Sequence, residues 1–263
     1  SAEGRGDRGS TFRDCLPRID DARAMGFNVI YFPPIHPIGF TNRKGRNNSV
    51  TSEPGEPGVP YAIGSEWGGH QAIESALGTF EDFAWLEQEI RNRGMEIALD
   101  FAINCSPDHP YVVEHPEWFY KRPDGTIKYA ENPPKKYEDI YPLNFRCSNW
   151  KELWDEMTSI MAFWAERGVR IFRVDNPHTK PVAFWEYLIT KVREKFPDTI
   201  FLSEAFTRPK MMKTLAKAGF TQSYTYFTWR TGKQELTEYF TELTQTEMRE
   251  YFRGNLFTNT PDI

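Results

Sequence analysis

Four acidic residues in this chain stand where apolar runs give out. Asp100 closes "MEIALD", Asp175 closes "VRIFRVD", Glu204 follows "TIFLS" and Asp262 follows "NLFTNTP". A carboxylate does not belong in the core toward which Ile171, Phe172 and Val174 drive the chain, because burying it unpaired is costly or protonates it. Arg173, two residues before Asp175, is one ready partner, and a single Arg-x-Asp reads as a buried ion pair. Four acids in the same relation to four runs form a pattern. The chemistry that convergent carboxylates support is general acid–base and nucleophilic catalysis.

The elements that position these acids alternate along the chain. A helix over 11–25 is capped near Ser10 or Thr11 and closed by Gly26, and "FNVIYF" (27–32) is a strand halted by Pro33-Pro34. A helix over 79–94 starts at Thr79 with Asp82 in a capping-box position and precedes a strand at 95–101. Asn149 with Glu152 opens a helix that ends at Gly168, and a strand at 169–175 follows. Next come helix 181–195, strand 199–205, helix 208–218, a strand around 222–228, helix 231–250 and a strand at 255–259. Near-continuous apolar strands separated by helices predict an α/β fold with a parallel sheet.

No G-x-G-x-x-G follows any of these strands, so a dinucleotide-binding doubly wound sheet loses its main support. In a (β/α)8 barrel of the TIM type the C-terminal strand ends converge on one face, where active sites lie. Asp175 and Glu204 are separated by one helix, which makes their strands neighbours. The expected fold is therefore an incomplete (β/α)8 TIM-type barrel, about strands two to seven, with an inserted loop subdomain after the strand ending near Asp100. On this reading residues 1–10 are a disordered lead-in, 11–101 and 149–263 form the partial catalytic barrel, and 102–148 line the cleft.

Composition narrows the class. With 39% hydrophobic and 26% charged residues in 263, the chain is of soluble globular type, and a net charge of −5 gives no electrostatic reason for nucleic-acid binding. Aromatic residues make up 15%, a surplus that fills a thick core or builds exposed platforms for flat ligand faces. Three cysteines with no C-x-x-C spacing predict a reducing, cytoplasmic setting and argue against a disulfide framework or a zinc site. There is no H-E-x-x-H and no oxygen-rich calcium loop, so no metal or other cofactor is expected. No apolar stretch approaches a membrane span in length, and no leader peptide is visible.

Taken in order, "ALDFAIN", "GVRIFRVD", "FLSEA" and "FTNTPD" resemble the four short motifs of the α-amylase family of glycoside hydrolases and transglycosidases. Longer strings, among them "YFPPIHPIGFTNRKGRNN", "AENPPKKYEDIYPLNF" and "GFTQSYTYFTWRTGKQELTEYFTEL", are similar to bacterial members that transfer a maltosyl unit from α-maltose 1-phosphate to an α-1,4-glucan. The resemblance runs over nearly all of residues 11–263.

That resemblance implies that Asp175 is the nucleophile of a covalent glycosyl-enzyme, Glu204 the general acid/base, and Asp262 the stabiliser of the oxocarbenium-like transition state. It implies a retaining outcome, for which paired carboxyls about 5–5.5 Å apart are typical. Arg173 would keep Asp175 ionised and oriented, and Asp100 would organise the site through Arg173. Asn132, Lys135 and Tyr137 would hold the donor with Asn176 and Lys44, lysine suiting phosphate as a compact charge. Cys105 and Pro261 stand where ordinary amylases carry histidines, which speaks against a standard starch hydrolase.

Two alternatives use the same residues. In an amylase-type hydrolase water replaces the acceptor sugar on these carboxylates. In a non-catalytic carbohydrate-binding module only the aromatic platforms matter, and the intact trio of acids argues against it. The resemblance further implies a fragment of a longer enzyme whose parent is a homodimer.

Overall fold

The computed structural model describes residues 10–257, which divide between Val169 and Arg170 into two units. In the first, a short 3-10 turn at Phe12–Cys15 leads into helix α1 (Leu16–Ala24) and strand β1 (Val29–Phe32). Helix α2 (Phe80–Asn92) and strand β2 (Glu96–Phe101) follow after a long loop. β1 and β2 are parallel, from Val29 opposite Glu96 to Phe32 opposite Leu99.

The insertion after β2 carries strand β3 (Asn104–Cys105), helix α3 (Tyr111–Glu114), and strands β4 (Ala130–Asn132), β5 (Lys135–Tyr137) and β6 (Tyr141–Pro142). β3 pairs antiparallel with β6, and β4 with β5. Helix α4 (Trp150–Glu166) closes the unit.

Capping and burial explain where these helices sit. The Thr79 side chain accepts from the Asp82 amide while Asp82 Oδ2 accepts from the Thr79 amide, a reciprocal cap that starts α2. Phe83, Leu86 and Ile90 then form its buried stripe, and Phe83 meets Trp164 of α4 edge-on at 5.4 Å. Asn149 heads α4 without capping its amides; its amide nitrogen donates instead to Glu152 and Glu117, each at 2.9 Å.

The long loop over 33–78 is ordered by the insertion. Ser106 Oγ donates to the Gly64 carbonyl at 2.5 Å, and Asp108 accepts from the Phe40 and Thr41 amides and the Thr41 hydroxyl. Gly64 has φ +111°, and a Cβ there would lie 2.3 Å from the His109 ring, so the close approach admits only glycine.

The second unit runs from strand β7 (Ile171–Asp175) through helix α5 (Val182–Lys195), strand β8 (Ile200–Glu204), helix α6 (Pro209–Lys217) and strand β9 (Gln222–Ser223) to helices α7 (Lys233–Gln245) and α8 (Met248–Tyr251). β8 pairs in parallel with β7 on one side and β9 on the other. Phe184, Trp185, Leu188, Phe201 and Phe220 are buried in its core, with Trp185 and Phe220 ring centres 5.5 Å apart.

Three expected elements differ. The strand around 222–228 stops at Ser223, because Thr225 Oγ1 accepts from the Phe227 amide and caps a 3-10 turn over Tyr226–Trp229. The helix over 231–250 breaks at extended Thr246, whose hydroxyl accepts from the Met248 amide and opens α8. Of the strand at 255–259, residues 255–257 are irregular after a parallel bridge from Gly254 to Ser223, and 258–259 lie outside the described residues. Among the described residues no helix is long and apolar enough to cross a membrane.

Candidate active site

β7 and β8 place two of the four expected acids side by side. Their register sets Asp175 opposite Glu204, each at the C-terminal end of its strand. Asp175 is 8% exposed and Glu204 9%, so both are largely withdrawn from water without being sealed from it. Arg173, equally buried, places Nη1 2.8 Å from Asp175 Oδ1 and Nη2 3.6 Å from Glu204 Oε1. One guanidinium thus spans both carboxylates, the planar fork that arginine provides and lysine does not.

Asn176 completes the cluster. Its backbone sits in the left-handed region at φ +44°, a conformation that asparagine tolerates better than most residues. The turn aims the Asn176 amide at Glu204 Oε2 (3.1 Å) and the side-chain nitrogen at Asp175 Oδ2 (3.2 Å). The two acids are therefore tied together by both Arg173 and Asn176. Such a pair offers one group to attack an electrophile and a second to move a proton.

Of the residues beside this pair, Lys180 was missed as a site candidate. Lys180 donates to the Asn176 carbonyl at 3.4 Å; burial lowers its ammonium pKa, while the charges of Asp175 and Glu204 act in the opposite sense. His178 has a buried Nδ1 with no hydrogen-bond partner, and burial holds its pKa below the ordinary value. The signal for Lys180 was its place in "DNPHTKP", five residues after the acid and just past the short 3-10 turn at Pro177–Thr179.

Asp100, 2% exposed at the end of β2, accepts from the Tyr31 hydroxyl at 2.5 Å and the Tyr61 hydroxyl at 3.1 Å. Burial, with the Asp100 charge next, raises the Tyr31 pKa and keeps that phenol a donor. Lys44 is only 4% exposed, with Nζ 2.6 Å from Glu138 Oε2, so its charge is already matched. Asn132 and Lys135 are directly opposite each other in the β4–β5 hairpin, and Tyr137 lies two residues beyond Lys135. By strand alternation these three share one face, gathering an amide, an ammonium and a hydroxyl. Asp262 lies outside the described residues.

A second buried cluster was not anticipated. Atoms of His70, Cys105 and His109 lie within 4.8 Å of one another, a grouping that matches metal-ligand chemistry. Their hydrogen bonds define another state. His109 Nδ1 accepts from the Tyr111 amide, so Nε2 carries the proton and donates to His70 Nδ1 at 3.1 Å; His70 Nε2 then donates to the Ala102 carbonyl at 2.8 Å. Both imidazoles are neutral and fully engaged, and burial holds the His70 pKa down at about 4. A metal would have to displace the bond between the rings. The Cys105 thiol is raised by burial and stays protonated.

No family model matches the chain. Over 256 residues it is 60% identical to a protein of Rhodospirillum rubrum named alpha-1,4-glucan:maltose-1-phosphate maltosyltransferase, covering 97% of this chain and 37% of that protein. A protein of the same name from Cereibacter sphaeroides is 59% identical over 263 residues, covering 100% of this chain and 44% of its own length. The chain thus spans well under half of these relatives. Among solved structures, an α-amylase from Lactobacillus plantarum superposes with a TM-score of 0.70 at 25% identity, covering 90% of this chain and 56% of that one. Amy13B of Eubacterium rectale does so with a TM-score of 0.69 at 18% identity, covering 95% and 53%. The fold is that of part of the α-amylase (β/α) barrel.

Proposed function

We propose that this chain, a member of the α-amylase family, carries the reacting carboxylates of a retaining transferase that moves a maltosyl unit from α-maltose 1-phosphate to the non-reducing end of an α-1,4-glucan. The observation that carries this reading is the register of Asp175 against Glu204 with Arg173 bridging them. The names of the relatives at about 60% identity supply the donor and acceptor.

In the first half-reaction the Asp175 carboxylate attacks the anomeric carbon as its bond to the phosphate oxygen breaks. Phosphate leaves with the electron pair, taking a proton from Glu204 where its own charge state requires one. In the second, the acceptor 4-hydroxyl attacks the same carbon, Glu204 takes its proton, and the Asp175–carbon bond breaks. Two inversions give net retention. Arg173 and Asn176 hold Asp175 in place, Arg173 Nη1 donating to Oδ1 and the Asn176 side-chain nitrogen to Oδ2. Asp262 takes the role of stabilising positive charge at the anomeric centre, and Asp100 that of organising the site.

The donor phosphate needs cationic and neutral donors in a chain of net charge −5. Asn132, Lys135 and Tyr137 on their shared hairpin face offer these, whereas Lys44, buried and paired with Glu138, brings no unmatched charge. Residues 102–148 are then a substrate-binding insertion in the barrel formed by 11–101 and 149–263. Cys15, Cys105 and Cys147 are free thiols, which suits a reducing, cytoplasmic setting.

The test is incubation with α-maltose 1-phosphate and maltohexaose, following free phosphate and the oligosaccharide mass ladder. Phosphate release with products that grow by two glucose units supports transfer. Shortening of maltohexaose independent of the donor would instead establish an amylase-type hydrolase.

A further inference from the structure

Two buried imidazoles that the proposed reaction does not use join three separate segments of the first unit. His70 lies on the loop over 33–78 and His109 on the insertion, and each is 2% exposed. His109 Nδ1 accepts from the Tyr111 amide and Nε2 donates to His70 Nδ1, each at 3.1 Å, and His70 Nε2 donates to the Ala102 carbonyl at 2.8 Å. Ala102 stands two residues past Asp100. The loop closes tightly around the His109 ring, since a Cβ at Gly64 or at Gly69 would overlap it. The Trp164 indole of α4 fixes the His70 backbone by donating to its carbonyl at 2.8 Å.

An apolar pair of similar size would fill this slot without four ring nitrogens to satisfy. What the imidazoles add is direction. Each bond sets a ring against one backbone atom, and a fully paired buried network rigidifies the segments it joins.

The stretch held in this way begins at Tyr61. Ser106 adds to the hold, its amide donating to the Ile63 carbonyl at 2.7 Å and its hydroxyl to the Gly64 carbonyl at 2.5 Å. The Tyr61 hydroxyl donates to Asp100 Oδ2 at 3.1 Å, beside the Tyr31 hydroxyl on the same oxygen. Tyr31 is set by its strand, where it pairs with Ala98. Tyr61 lies in a turn instead, so its place on Asp100 follows from how residues 61–70 are held against the segment after β2. We infer that His109 and His70 are positioning residues, whose mutual bond sets the Tyr61 hydroxyl on Asp100. The inference rests on the reading of Asp100 as the acid that organises the site of the proposed transfer.

The test is steady-state phosphate release by the full chain carrying His109→Asn, which keeps an acceptor for the Tyr111 amide but does not reach His70. A misplaced site residue lowers kcat by roughly ten- to a hundredfold while KM for α-maltose 1-phosphate stays within about twofold. His109→Gln, whose longer amide reaches His70, restores part of the loss. Tyr61→Phe gives a similar loss, and adding it to His109→Asn lowers kcat no further, because both remove the same contact. If His109→Asn does not fold, His70→Phe, which keeps a ring and removes both of its bonds, takes its place. An unaltered kcat, equal losses in the Asn and Gln variants, or losses that multiply in the double variant each overturn the inference.

Tyrosine isotopically labelled at Cζ gives a readout that needs no turnover. The Tyr61 resonance, assigned by its disappearance in Tyr61→Phe, moves in His109→Asn and returns toward its place in His109→Gln. An unmoved resonance overturns the inference. A resonance that moves in a chain releasing no phosphate overturns the reaction and leaves the positioning of Tyr61 standing.

Discussion

Asp175 and Glu204 occupy one register position of two parallel strands, and Arg173 contacts both carboxylates from the interior of β7. The three residues therefore act as a unit, and single substitutions are expected to cost more than their separate contacts.

Replacing either acid removes a reacting group of the proposed transfer. Asp175→Ala and Glu204→Gln are each expected to lower kcat by roughly ten-thousand-fold, as for other residues that act together in a covalent mechanism. Steady-state phosphate release checks this, with circular dichroism confirming an intact fold.

Arg173→Met leaves two buried carboxylates facing each other without their cation. Loss of one partner from a buried ion pair costs about 3–5 kcal/mol, so the urea midpoint should fall accordingly. Adding Asp175→Asn should recover part of that stability, because one of the two charges is gone. An unchanged midpoint would mean that Arg173 does not neutralise the pair.

The proposed donor-binding face of the β4–β5 hairpin makes a kinetic prediction. Lys135→Ala should raise KM for α-maltose 1-phosphate about tenfold or more, the scale of one charge-assisted hydrogen bond. Lys136→Ala, on the opposite face of the same strand by alternation, should leave it nearly unchanged.

The buried histidines make stability depend on pH. Burial holds the folded-state pKa of His36 at about 3 and that of His70 at about 4, both below the ordinary value of 6.5. Below 6.5 the unfolded chain binds protons that the folded chain refuses. Their contribution is therefore complete above pH 6.5 and is lost as pH falls toward 4, by roughly 3 kcal/mol for His70 alone. Urea denaturation across that range measures the slope, and His70→Gln should flatten it.

Much of this was legible in the sequence, for identifiable reasons. Apolar runs ending on Asp100, Asp175 and Glu204 marked the strands because a parallel strand covered on both faces has little room for polarity until its end. Thr79 with Asp82 marked the start of α2 because the reciprocal cap is local. The failures were also local in origin: the hydroxyls of Thr225 and Thr246 bind nearby amides and end elements that hydrophobicity alone would continue. The His70–Cys105–His109 cluster was invisible because its members, spread over 39 residues, meet only through tertiary packing. The matching of Lys44 by Glu138, 94 residues away, was hidden for the same reason.

The central claim is that Asp175 becomes covalently glycosylated while Glu204 handles protons. Its most direct test is the intact mass of Glu204→Gln after exposure to α-maltose 1-phosphate without acceptor, followed by peptide mapping. The account predicts a gain of one maltosyl unit on the peptide containing Asp175, removed when maltohexaose is added. A maltosyl group on another residue, or no adduct while the unsubstituted chain turns over donor, would contradict it.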